Sequence, residues 1–186
     1  LLATNLLVHK AFGWAVKSDL QAWIQSLPFV LELLLILLIA DLVQYWTHRA
    51  YHETWLWRLH AVHHSAKYMD WMAGSRLHII EVLITRTTIL GGIFILGFSK
   101  EVIDAYIVIV GFQAVFNHCN VNVRLGPLRY IIVSTNFHHW HHSQDQAALD
   151  RNYAAHFAFL DYIFGTAVKS DQRWPEKYGV LGDYVP

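Results

Sequence analysis

The chain has 186 residues, of which 55% are apolar and 15% charged, which predicts one folded domain spanning 1–186 and excludes a disordered protein. Fourteen Lys and Arg balance fourteen Asp and Glu, which argues against nucleic acid as a partner. The single cysteine, Cys119, excludes an intrachain disulfide and a zinc site made of several cysteines.

Apolar residues dominate the first part of the chain. Residues 1–16 are apolar but interrupted by His9 and Lys10, and we interpret them as a membrane-helix remnant or an interfacial helix. Because residue 1 is Leu rather than Met, we expect a truncated or processed N-terminus. The strongest apolar run, 29–46, is 18 residues long with two charges, so we predict a membrane-spanning helix near 29–47.

Two further apolar segments, near 82–98 and 102–118, predict a helical hairpin that spans the membrane or dips into it. Each arm has 17 residues, fewer than the ~20 that a perpendicular span needs. Basic residues flank the hairpin on both sides, whereas its tip carries only Lys100. This bias predicts that both flanks lie on the cytoplasmic face.

The remainder of the chain is polar and aromatic, without a strand pattern of useful length or an internal repeat. We therefore predict an all-α protein. The low charge and raised apolar content further predict a membrane part that carries a polar, histidine-rich part.

Histidine is the unusual residue: ten of the thirteen fall within 48–64, at 118 and within 138–142. Most recur at i, i+3 or i+4, which places their imidazoles on one helix face. A lone histidine is more simply a hydrogen-bonded core residue, but a packed set without a metal leaves buried nitrogens unsatisfied at roughly 1–3 kcal/mol each. The spacing selects nine metal-ligand candidates: His48, His52, His60, His63, His64, His118, His138, His141 and His142.

The number of candidates indicates two metal ions, because one tetrahedral zinc needs only four ligands. Imidazole suits Zn, Cu, Fe and Ni alike, so ligand type does not select the element. His139 falls outside the i, i+3, i+4 register, and we interpret it as a non-ligand.

Taken together, the motifs resemble the fatty acid hydroxylase/sterol desaturase superfamily. The matching residues cover roughly 41–166 and extend nearly to the C-terminus through Trp174-Pro175 and Tyr178-Gly179. They are Asp41-Leu-Val-Gln-Tyr45-Trp-Thr-His48 with His52, His60-x-x-His63-His64-Ser65, Asn117-His118-x-Asn120, His138-x-x-His141-His142-Ser143, Asn152-Tyr153 and Leu160-Asp161-x-x-Phe164-Gly165-Thr166.

The resemblance implies an integral-membrane, O2-dependent enzyme with a non-haem di-iron centre, acting on lipids or other hydrophobic substrates. The architecture it implies is an integral-membrane helical stem with a cytosolic, histidine-rich helical cap that holds a dimetal site. It assigns eight of the nine histidines to the family's three boxes, and His118 to a histidine that some members carry between the second and third boxes. Other members carry a second histidine four residues later, where this chain has Asn122. The tenth ligand therefore stays open between Asn120, Asn122, His156 and a water molecule.

Several further side chains are candidates to orient the ligands. His78 and Glu81 resemble an H-x-x-E element of some relatives. Asp41, Asp145 and Asp161 are candidates to accept the outer N–H of ligating imidazoles, with helix capping or solvent exposure as the alternative.

The predicted reaction is O2-dependent hydroxylation of a C–H bond in a lipid or sterol-like substrate, with two iron ions that zinc can replace in a purified sample. A desaturase with the same ligands is the main alternative. Two further alternatives are a membrane zinc hydrolase and a metal-binding or transport protein. The chain lacks the H-E-x-x-H motif typical of the first. The second usually holds its ligands near mid-membrane, whereas the histidines here are expected at one interface. The chain carries no flavin, haem or nicotinamide motif, so we predict an external electron donor of the reductase, ferredoxin or cytochrome type.

Overall fold

The protein is all-helical in the computed structural model, which describes Lys10, residues 12–168 and residues 173–181. These residues contain no β-strand, which confirms the predicted fold class. Most of the 1–16 segment, with His9, lies outside them. The helices are α1 (Ser18–Gln25), α2 (Phe29–Glu53), α3 (Trp57–His64), α4 (Ile79–Leu96), α5 (Lys100–His118), α6 (Thr135–His141) and α7 (Phe159–Ile163), with 3-10 turns at Gly13–Ala15, Ala73–Ser75 and Gly126–Tyr130.

Helix α2 is the central element of the stem. It begins after Pro28, which cannot donate a backbone hydrogen bond but favours the start of a helix, and it packs against both α4 and α5. Its buried positions Ile36, Leu37 and Ala40 lie on one face of the helix and form a core cluster with Ile93 and Val102 of the neighbouring helices. The helix continues past the predicted end at 47, so its last turns carry the first histidines.

The hairpin tip is anchored to the N-terminal helices by polar side chains. Gly97 ends α4 in a left-handed conformation, with φ of 66°, and a Cβ there would lie 2.4 Å from the side chain of Gln21. Ser99 precedes α5, and its N–H and hydroxyl both donate to buried Glu32 of α2, at 2.6 and 2.8 Å. Helices α4 and α5 thus lie near the two predicted apolar segments and are joined by a polar tip, and both pack on α2.

Two helices, α2 and α4, are long and apolar enough to cross a membrane. Helix α5 is not among them, because Lys100, Glu101 and Asp104 make its first turns charged. Only 33% of the apolar window of α2 and 11% of that of α4 is buried inside the protein. Large apolar faces of the stem therefore lie on its outside.

The cap is built from α3, α6, α7 and the loops between them. Helix α6 begins at Ser134, whose hydroxyl accepts from the Phe137 N–H at 3.1 Å. A second core cluster, which includes Tyr45, Phe137 and Tyr153, joins the cap to the end of α2. Helix α3 packs on α2 and α6 packs on α5, so the ends of the two stem helices meet the two short cap helices. All the histidine motifs converge there.

Candidate metal centre

The structure brings the nine candidate ligands together in two groups. Within each group, one potential ligand atom from every histidine lies within 4.8 Å of the others. The first group has five members, His48, His52, His60, His64 and His141, and the second has four, His63, His118, His138 and His142. Each group draws on three helices, so neither can form before the chain has folded.

The two groups are direct neighbours. The His64 ring of the first group stacks on the His142 ring of the second, with centroids 4.3 Å apart and an interplanar angle of 22°. The His60 ring of the first group and the His63 ring of the second lie 5.2 Å apart. The two groups therefore lie side by side, as the two halves of a dimetal site must.

Four backbone carbonyls fix the tautomers of four imidazoles. In the first group, His48 Nδ1 donates to the Tyr153 carbonyl and His141 Nδ1 donates to the Arg151 carbonyl, each at 2.7 Å. In the second, His63 and His118 donate to the carbonyls of Arg76 and Ala114, at 3.2 and 2.8 Å. A carbonyl oxygen can only accept, so each Nδ1 carries the proton and each neutral ring presents a bare Nε2 lone pair.

These lone pairs face one another. The Nε2 atoms of His63 and His118 lie 3.3 Å apart, although neither carries a proton. The buried Nε2 atoms of His52 and His141 have no hydrogen-bond partner. Facing lone pairs repel, and a buried acceptor without a partner is costly, unless a cation lies between them.

The nitrogen–nitrogen distances also fit a metal ion. Two nitrogens bound at about 2.1 Å to one ion lie about 3.0–3.4 Å apart for bond angles of about 90–109°. The Nε2 atoms of His48 and His60 are 3.0 Å apart, and those of His138 and His142 are 3.1 Å apart. The donor set, its tautomers and its spacing therefore fit metal binding in both groups.

Burial keeps the imidazoles in the neutral form that binds metals. Loss of solvent contact lowers the pKa of six of them well below the ordinary 6.5, because the charged form loses its hydration. The neighbouring rings lower these pKa values further by like-charge repulsion. The six are His60, His63, His64, His138, His141 and His142.

Two carboxylates orient ligands of the first group from behind. His60 Nδ1 donates to Glu81 Oε1 at 2.7 Å, with both side chains buried. His52 Nδ1 donates to Asp150 Oδ1 at 3.0 Å, and the Asp150 side chain is 59% exposed. A carboxylate in this position fixes the ring orientation and makes the ligating nitrogen more basic.

We expect Glu81→Ala to weaken metal binding at the first group by roughly 10–100-fold, because His60 loses the acceptor that holds its ring. The measurement is a titration with a chelator that competes for the ion. Glu53→Ala is the matched control, since Glu53 forms an ion pair with Arg49 on the exposed end of α2 and makes no hydrogen bond to a ligand imidazole in the described part of the chain. Equal affinities in the two variants would contradict an orienting role for Glu81.

The structure places the three candidate aspartates against backbone N–H groups. Asp41 accepts from the backbone N–H groups of Ala155, His156 and Phe157. Asp161 likewise accepts backbone N–H groups, and Asp145 accepts from the Ala147 N–H in a turn. The hydrogen bonds found for Asp41 and Asp161 thus satisfy a loop rather than imidazoles.

The candidates for a tenth ligand do not join either group. Asn120 and Asn122 are exposed in the segment after α5. His156 lies in the loop held by Asp41, and its buried Nδ1 has no hydrogen-bond partner. Among the described residues, the second group therefore has four histidines.

His78 and His139 form hydrogen bonds outside the two histidine groups. The Nδ1 atom of His78 accepts from the Ile80 N–H, which caps the start of α4. His139 is fully buried, and its two ring nitrogens contact the Tyr178 hydroxyl and the Cys119 carbonyl, at 2.9 and 3.2 Å. Burial lowers the pKa of His139 to about 4, so this ring is neutral as well.

The sequence did not point to Asp150, nor to the glycine beside His118. Asp150 contacts a histidine 98 residues earlier, and no spacing rule relates the two. A Cβ on Gly74 would lie 2.9 Å from Nδ1 of His118, so only glycine lets this backbone approach the ring. Neither position carries a periodic signal.

Comparison with known proteins gives one family and several relatives. The fatty acid hydroxylase family matches residues 33–166. An ornithine lipid hydroxylase from Rhizobium tropici is 32% identical over 161 residues, which cover 86% of this chain and 49% of that protein. A methylsterol monooxygenase from Arabidopsis thaliana is 25% identical over 169 residues, covering 89% and 62%.

A very-long-chain aldehyde decarbonylase from Oryza sativa is 24% identical over 189 residues, covering 95% of this chain and 29% of that protein. The chain thus spans less than two thirds of the length of each of these three relatives. No solved structure matches it significantly.

Proposed function

The chain belongs to the fatty acid hydroxylase family, and we propose that it is an O2-dependent di-iron hydroxylase acting on a C–H bond of a lipid or sterol-like substrate. The observation that carries the proposal is the pair of neighbouring histidine groups with inward-facing lone pairs. The named activities of the ornithine lipid hydroxylase and the methylsterol monooxygenase support hydroxylation of a hydrophobic substrate.

We assign one iron ion to each histidine group. Iron bound there, with O2 as co-substrate, supplies the oxidising power that an unactivated C–H bond requires. All nine proposed ligands are neutral, so the two cations receive no compensating charge from a ligating carboxylate. Glu81 and Asp150 provide negative charge one hydrogen bond away, behind His60 and His52.

The residues of the cap hold the ligands and exclude water. Eight of the nine proposed ligands are buried, and the side chain of His52 is 3% exposed. Tyr153, which belongs to the cap core, packs against the rings of His48, His52 and His141 in the first group. A dry, rigid surrounding favours attack on the substrate over side reactions with water.

The reaction requires an electron donor. Hydroxylation converts R–H and O2 to R–OH and water, and it consumes two electrons and two protons. The chain offers no motif for a flavin, haem or nicotinamide cofactor. We therefore propose that a separate reductase, ferredoxin or cytochrome delivers the electrons.

We further propose that the stem lies in a membrane, with residues 1–186 forming one membrane domain. Support comes from the outward apolar faces of α2 and α4, where Leu31, Leu34 and Leu83 are each more than half exposed. Exposed Val108 and Phe112 of α5 extend this surface. The basic flanks of the hairpin support a position of the cap on the cytoplasmic side. A lipid substrate would then reach the cap from the bilayer.

The test uses the full chain, extracted from membranes and purified without oxygen. We expect two irons per chain by elemental analysis, a coupled di-iron Mössbauer spectrum, and O2 uptake in the presence of a lipid substrate and a reductase. Product analysis then distinguishes a new hydroxyl group from a double bond. A single zinc bound under iron-replete conditions, with no O2 consumption, would overturn the proposal.

A further inference from the structure

One loop of the cap has its backbone held by two buried carboxylates. The 150–157 loop has no helix or strand, yet five consecutive N–H groups in it are satisfied. Asp161 accepts two of them, each at 2.8 Å, and Asp41 accepts the other three, at 2.6–3.1 Å. The donors are Tyr153, Ala154, Ala155, His156 and Phe157.

The first part of the same loop contacts the first histidine group. The carbonyls of Arg151 and Tyr153 accept from His141 and His48, and Asp150 accepts from His52. Three of the five imidazoles in that group therefore take their orientation from four consecutive residues. A shift of the loop would turn all three rings at once.

Two imidazoles of the second histidine group are oriented from other parts of the chain, although the loop also contacts Asn117 and Phe137, which are next to His118 and His138 in the sequence. His63 donates to the Arg76 carbonyl in the segment before α4, and His118 donates to the Ala114 carbonyl within its own helix. The 3-10 turn around Gly74 lies against the His118 ring. None of the hydrogen bonds that orient these two imidazoles comes from the 150–157 loop.

We propose that Asp41 and Asp161 act as positioning residues for one metal ion of the two, by holding the 150–157 loop against the first histidine group. This inference rests on the proposed dimetal function. Both carboxylates are fully buried, and both oxygens of each accept a hydrogen bond from the loop. Neither carboxylate is assigned as a ligand.

The loop requires a carboxylate at both Asp41 and Asp161, because each must accept hydrogen bonds through both of its oxygens. An asparagine in place of either aspartate keeps one acceptor oxygen but turns an NH2 group toward a backbone N–H. Two donors then face each other in a buried place, and at least one loop amide loses its partner. The loop must shift to relieve this, and its carbonyls shift with it.

The experiment measures metal stoichiometry after anaerobic loading of the full chain with Fe2+ and removal of unbound metal. We expect two ions per folded chain in the unchanged protein and one in Asp161→Asn and in Asp41→Asn. Leu160→Ala is the matched control, because it removes a buried side chain of the same cap core and leaves both carboxylates in place. We expect it to retain two ions per folded chain.

Double variants identify the histidine group that has lost its ion. Adding His118→Ala to Asp161→Asn is expected to leave no ion, since it removes a ligand of the remaining, second group. Adding His52→Ala is expected to leave one ion, since the first group is already lost. Two ions in Asp161→Asn, or one ion in the variant that also carries His118→Ala, would overturn the inference.

Asp150→Gly keeps the test decisive if the buried variants fail to fold. Asp150 is exposed and has a φ of 54°, which glycine adopts without strain. We expect roughly 10–100-fold weaker binding of one ion and unchanged binding of the other. Equal weakening of both ions, or of neither, would overturn the inference. Fewer than two ions in the unchanged protein would instead overturn the proposed dimetal function itself.

Discussion

Replacing His138 by alanine is expected to lower the metal content from two ions per chain to one and to abolish O2-dependent turnover. His138 belongs to the four-membered group, so its loss leaves three imidazoles, one fewer than a closed tetrahedral site needs. The loss should exceed the ~10–100-fold effect of removing an outer hydrogen-bond partner. Elemental analysis of the folded fraction, together with O2 uptake, measures both effects.

His139→Ala is the matched control for that variant, because the two histidines are adjacent on α6 and both are buried. His139 contacts Tyr178 and the Cys119 carbonyl instead of the metal groups. We expect this variant to lose about 1–3 kcal/mol of stability and to keep two ions. Two ions in His138→Ala, or one in His139→Ala, would contradict the assignment of ligands.

His141→Ala is expected to have a milder effect on metal content than His138→Ala. It removes one of five imidazoles in the first group, and four remain to hold an ion. Metal affinity should fall without complete loss of the ion at saturating metal. The same elemental analysis, repeated over a range of metal concentrations, separates weaker binding from loss.

Helical spacing explains why the histidine clusters could be predicted from the sequence. Residues three and four positions apart share a face of a helix whatever the tertiary structure, so His60, His63 and His64 had to project together. The hairpin was equally predictable, since a short polar stretch around Lys100 interrupts two apolar runs. Both features are local, and each depends on only a few turns of chain.

Contacts between residues far apart in the sequence leave no periodic pattern from which they could be predicted. Asp41 reaches backbone N–H groups 114 to 116 residues later, in a loop without periodicity, so the sequence suggested an imidazole partner instead. The division of the nine histidines into five and four was also inaccessible, because it depends on how four helices meet. The composition predicts 102–118 as a membrane segment as well, and the structure forms a helix there whose first turns are charged.

Acidification below pH 6.5 is expected to unfold the cap of the metal-free protein. Burial lowers the pKa of six ligand histidines well below 6.5 in the folded state. As the pH falls through 6.5, the unfolded chain takes up protons that the folded chain does not. Their contribution to stability is therefore fully present above pH 6.5 and is lost as the pH falls.

The expected size of this effect is large. A histidine that stays neutral in the folded state costs at most about 1.4 kcal/mol per pH unit once the pH is well below 6.5, so a set of six lowers the stability by several kcal/mol as the pH falls. A typical domain has a total unfolding free energy of about 5–15 kcal/mol. The metal-free cap should therefore unfold within about one to two pH units below 6.5.

Bound metal should move this transition to lower pH, because an ion that binds only the folded state adds to its stability. Tryptophan fluorescence, recorded from pH 7.5 to 4.5, compares chelator-treated with metal-loaded protein. The cap contains several reporters, including Trp57, whose ring lies 5.0 Å from that of His52. Coincident transitions in the two samples would mean that the ion does not bind the folded cap selectively. A metal-free cap that stays folded at pH 4.5 would contradict the prediction. It would mean that the buried imidazoles take up protons without destabilising the folded cap.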